Sequence, residues 1–94
     1  MVVGVATVRL FIPNSHSLKD KRQVVRSVVA RMRQRFNVAV AEVADLDNWQ
    51  AATLGIVSVS SDAAYVQGLL NKSVDWLSDE RLDAEISEVS IELR

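Results

Sequence analysis

The side chains best equipped for chemistry in this chain are cations. Lys19, Lys21, Arg22, Arg26 and Arg33 fall between positions 19 and 33, a stretch whose apolar spacing is helical. On a wheel turning ~100° per residue, Lys19, Arg22, Arg26 and Arg33 share one flank of the apolar stripe centred on Val25, and Arg31 and Arg35 take the other. With the partial positive charge of a helix N-terminus beside Lys19, Lys21 and Arg22, such a face suits phosphate oxygens, through free N–H groups and guanidinium forks. The implied partner is RNA or another polyanion. The competing reading is a solvated helix whose arginines pair with acids of a second helix or of a partner chain.

Other reactive side chains are sparse. His16 is the single histidine and lies between Ser15 and Ser17, but no Gly-x-Ser-x-Gly elbow accompanies it and the acids fall on other elements. An acylphosphatase-like hydrolase would place Ser15, His16 and Arg22 around a phosphate at the helix start, and stands as a third reading. Asp45 and Asp47 lie two apart in a turn; with one histidine and no cysteine they offer only an all-oxygen metal site, and they read as turn formers. Gly4, Gly55 and Gly68 build neither a P-loop nor a dinucleotide fingerprint. No catalytic residue, metal ligand or cofactor is therefore assigned.

The elements that position these residues read in one pass. Residues 2–12 are rich in β-branched side chains and stop at Pro13, which has no N–H for a ladder. Ser17, with Asp20 three residues on, starts a helix over 18–35 whose apolar positions include Val25, Val28, Met32 and Phe36. Residues 38–46 and 50–60 flank Asp47-Asn48 as a hairpin with an Asx-type turn. Ser61 or Asp62 caps a second helix, and a last strand covers 84–93. The order βαββαβ is that of an α+β, ferredoxin-like sandwich: a four-stranded antiparallel sheet with two helices on one face. Strands one and three, each joined through a helix to a partner, are expected in the centre and parallel to each other.

Length and composition agree with one such domain over residues 1–94. The 94 residues are 49% hydrophobic and 24% charged, and the absence of cysteine excludes a disulfide scaffold, a thiol nucleophile and a cysteine-based zinc site. No apolar run approaches the ~20 residues that span a bilayer, and the reading is a soluble cytoplasmic domain without a membrane partner. The net charge of −1 conceals a bipolar chain, in which residues 1–40 carry +7 and residues 41–94 carry −8.

One sheet face is left bare by two helices on the other. Strand one is apolar on both faces, with Val3, Val5 and Phe11 opposite Ala6, Val8 and Leu10, and strand three sets Val57 and Val59 against Leu54 and Ile56. A homodimer through Val3, Val5, Phe11, Val57 and Val59, with Trp49 as a further anchor, is expected from this pattern, and a homodimeric protein-interaction module without nucleic-acid binding is the main alternative function. The two central strands offer Phe11 as their one aromatic, so any RNA is read by backbone and shape, with little base readout. Trp76, on the stripe of helix two, is expected to pack in the core.

Ser17-Leu18-Lys19-Asp20-Lys21-Arg22, Phe36-Asn37-Val38, Ala41-Glu42-Val43, and Asp47 through Trp49 to Leu54-Gly55 resemble the YlxP-like family of small uncharacterised bacterial proteins. The resemblance covers most of the chain and is most specific in the SLKDKR string, in FNVAVAEV and in the Trp-to-Leu-Gly spacing. It implies a ferredoxin-like fold of unknown biochemical function, encoded near translation initiation factor two and a ribosome-binding factor, and it brings no catalytic residues with it.

Overall fold

The computed structural model describes residues 1–94, apart from the side chain of Glu80. The elements follow the expected order: β1 (Val2–Phe11), α1 (Leu18–Arg35), β2 (Ala39–Ala44), β3 (Ala51–Ser60), α2 (Ala63–Leu77) and β4 (Glu85–Leu93). Their ends are fixed by side chains that satisfy orphan backbone groups. Ser17 Oγ accepts from Asp20 N at 3.0 Å, while Asp20 Oδ2 accepts in return from His16 N at 3.0 Å, so this capping pair reaches one residue further back than a capping box does. Asp62, not Ser61, caps α2 by accepting from Ala64 N at 2.9 Å and Tyr65 N at 3.3 Å. In the hairpin, Asn48 Oδ1 accepts from Gln50 N and Ala51 N at 2.9 and 3.0 Å, the expected Asx turn.

The four strands form one sheet in the order β2-β3-β1-β4 with every neighbouring pair antiparallel, which makes this a ferredoxin-like α+β fold. β1 and β3 are central as expected, but they run antiparallel and not parallel. The reason is topological: the α1 crossover makes β2 parallel to β1, and the tight hairpin then reverses the chain into β3. Ala6, Val8 and Leu10 of β1 and Leu54 and Ile56 of β3 are buried under Val28 and Met32 of α1 and Val66 and Leu70 of α2. Trp76 joins this core half-buried, its ring edge-on to Phe36 at 6.2 Å.

Two glycines show how space decides the sign of a substitution. Gly4 faces α2, and a Cβ there would run into Val66 and lie 2.7 Å from Leu70 Cδ1. Gly68 sits inside α2 with nothing within 4 Å of a built Cβ. Gly4→Ala is therefore expected to cost about 1–3 kcal/mol through overpacking. Gly68→Ala should add about 0.5–1 kcal/mol by removing a mid-helix glycine. Urea unfolding of the two variants checks both signs.

The uncovered sheet face carries the odd-numbered side chains of β1 and β3. Val3 pairs with Val59, Val5 with Val57, Thr7 with Gly55 and Arg9 with Thr53. This face is apolar at one end and polar at the other.

Candidate nucleic-acid interface

The cationic flank of α1 is largely as its spacing implies. Lys19, Arg22, Arg26 and Arg33 are exposed, and at ~1.5 Å rise per residue the row from Lys19 to Arg33 is about 21 Å long. Arg33 Nη2 donates to the Val40 carbonyl at 2.9 Å, which lays this flank along the β2 edge of the sheet. On the opposite flank the Arg35 guanidinium stacks on Trp76, 5.6 Å from the ring centroid. The ion pairs among the described residues are Arg9–Asp45, Lys21–Glu42, Arg81–Asp79 and Arg94–Glu92. Lys19, Arg22, Arg26 and Arg33 thus make no ion pair there, and the acids of α2 do not neutralise them.

Lys21 is a correction. Expected among the phosphate-binding cations, it is 1% exposed and lies on the inner stripe of α1 with Val25, Val28 and Met32. Its Nζ donates to the carbonyls of Asp45 at 2.8 Å, Leu46 at 3.1 Å and Ala51 at 3.1 Å, and Glu42 Oε2 stands 2.9 Å away. An ammonium has three protons, and three carbonyls use them. Glu42 Oε2, buried and without a hydrogen-bond partner, is held by charge alone. The group fastens the first turn of α1 to β2, to the hairpin loop and to the start of β3. Lys21 and Glu42, from two of the strings that carry the family resemblance, meet here. The signal lies in the spacing: Lys21 is four residues before Val25, and Glu42 shares its strand face with Val40.

A second polar group stands on the bare face. Asp45, at φ 62, accepts from Thr53 Oγ1 at 2.5 Å and from Arg9 Nε at 3.2 Å. Hydrogen bonding by Thr53 and then by Arg9 holds its carboxyl below the ordinary value of 3.8. A depressed carboxyl stabilises the fold above its unfolded pKa and loses that contribution as pH falls towards its folded value. Wild-type stability should therefore drop as pH falls from 5 through about 3.8 and below, and Asp45→Asn, which tolerates the same backbone, should flatten that part of the curve. Thermal unfolding across this range is the check.

The remaining candidates are dispersed. His16 is exposed and offers its backbone N–H to Asp20, while the buried Ser15 donates its hydroxyl to the Ser17 carbonyl, so no Ser-His pair is formed. No group of three or more His, Cys, Asp or Glu side chains among the described residues stands ready to hold a metal ion. A surface cavity of about 490 Å³ lined by Pro13, Asn14, Ser78, Asp83 and Glu85 contains carboxylates and no cation. Of the interface candidates, Val3, Val5 and Val57 are half-buried on the bare face, Val59 and Phe11 are more exposed there, and Trp49 is 57% exposed beside the hairpin turn. Among the described residues no helix is long and apolar enough to cross a membrane.

Fold and surface together describe a small ferredoxin-like domain with one cationic helix flank and one bare sheet face. Residues 3–91 match the model of a family described as a protein of unknown function (DUF503), and the chain belongs to that family. It is also similar to the uncharacterized protein YlxP of Bacillus subtilis (strain 168), at 32% identity over 76 residues, which are 81% of this chain and 83% of that protein.

Proposed function

We propose that this chain is a non-enzymatic binding module that grips an RNA backbone, free or within a ribosomal particle, through Lys19, Arg22, Arg26 and Arg33. The observation that carries the reading is that these four cations line one flank of α1, exposed and without an ion-pair partner among the described residues. Their length of helix addresses several phosphates without touching a base edge, so binding is driven by counterion release and carries little sequence preference. A second reading, a homodimeric interaction module, is favoured by the valine pairs Val3–Val59 and Val5–Val57 on the bare face.

Sedimentation of the protein with a cell extract through a density gradient tests the first reading. Co-migration with ribosomal particles at low salt, lost at high salt, is expected. Migration as free protein under both conditions would transfer the assignment to the second reading.

A further inference from the structure

We propose that Trp49 is a stacking platform for an unpaired nucleobase, so that the RNA this module prefers is a duplex flanked by a single-stranded nucleotide. The inference deepens the RNA-backbone reading and rests on it. Its starting point is a contrast between the two tryptophans. Trp76 packs against the core, with Phe36 edge-on to its ring at 6.2 Å and the Arg35 guanidinium 5.6 Å from its centroid. Trp49 is 57% exposed, does not join the core and has no aromatic or cationic ring partner among the described residues. The loop that carries it is nevertheless held from both sides. Lys21 Nζ donates to the carbonyls of Leu46 and Ala51, which bracket Trp49, and Asn48 Oδ1 accepts from Gln50 N and Ala51 N across it. Gln50 ties the loop to the β1–α1 connection, its side chain donating to the Ser15 carbonyl at 3.2 Å and its own carbonyl accepting from Ile12 N at 2.8 Å. An aromatic whose backbone is fixed before the ligand arrives loses little freedom on binding.

The same bonds put Trp49 at one end of the cationic row. Lys21 lies between Lys19 and Arg22 at the start of α1, and Trp49 is two residues, at most about 7 Å of extended chain, from the Ala51 that Lys21 holds. A duplex gripped along the row from Arg33 to Lys19 therefore runs out towards the loop of the exposed indole. A ring face accepts any base, which fits a row that contacts phosphates alone, and it accepts only a base that has left the duplex stack. The central strands offer no comparable platform, since Phe11, at the end of β1, is their one aromatic.

Filter binding and fluorescence titration with a blunt RNA duplex, and with the same duplex carrying short adenine overhangs, 5′ or 3′, test this. An overhang is expected to tighten wild-type binding by about tenfold, the order of one aromatic–base stack. In a Trp76→Phe background, whose folding circular dichroism confirms, Trp49 is the sole tryptophan, and the overhang should quench its emission. Trp49→Ala, at an exposed position outside the core, should bind both duplexes with the affinity of the wild type for the blunt one, and Trp49→Phe should keep part of the preference. An overhang without effect, or a preference that survives Trp49→Ala, overturns the stacking, while salt-sensitive binding of the blunt duplex in the same experiment upholds the RNA-backbone reading. Binding of neither duplex at low salt overturns both and leaves Trp49 to a protein partner.

Discussion

Replacing Lys21 by methionine is expected to destabilise the domain by about 3–5 kcal/mol, because the ammonium is buried and paired. Methionine fills most of the same volume, so lost packing contributes little. What is lost is three donated hydrogen bonds, to the carbonyls of Asp45, Leu46 and Ala51, and the counter-charge of Glu42. The Glu42 carboxylate would be left part-buried beside an apolar side chain, and an orphaned buried charge costs more than the pair contributes. The penalty should therefore be coupled: adding Glu42→Gln to Lys21→Met should recover about 1 kcal/mol or more. Urea unfolding of the two single variants and the double variant measures this coupling. A loss below about 1 kcal/mol for Lys21→Met would contradict a structural role for the lysine.

The second large effect concerns binding alone. Reversing Arg22 and Arg26 to glutamate changes the row from four cations to two cations and two anions, on side chains that are exposed and carry no ion pair among the described residues. Duplex RNA binding is expected to weaken by on the order of 100-fold or more at low salt, because two phosphate contacts become repulsions. Stability should hardly move, since both side chains are exposed and make no ion pair among the described residues. Filter binding at fixed salt, with thermal unfolding alongside, separates the two quantities. Retained affinity in the double reversal would remove α1 from the interface.

The pair of predictions also marks what was legible in the sequence. The helix over 18–35, the Asx turn at Asn48 and the order of the elements follow from local chemistry: a capping serine, a side-chain amide that closes its own turn, and periodicities of 3.6 and 2. The direction of β3 relative to β1 is a property of the whole path, which a strand-by-strand reading misses. By charge type Lys21 groups with its neighbours, whereas its position relative to Val25 and Met32 puts it on the inner stripe. Charge alone could not show this, because the partners that make burial of an ammonium tolerable are three carbonyls and one carboxylate that lie 21 to 30 residues away in sequence. The exposed row from Lys19 to Arg33 was legible because a helix surface is set by spacing, whereas Asp45 acquired its partners only when the hairpin brought it beside Arg9 and Thr53.

The most direct test of the RNA assignment is the dependence of duplex affinity on salt. With about four phosphates engaged at a slope of about −0.9 each, the logarithm of the association constant should fall against the logarithm of salt with a slope near −3.6, and near half of that or less when Arg22 and Arg26 are neutralised to glutamine. A slope near zero, or no binding at about 50 mM salt, would contradict the account.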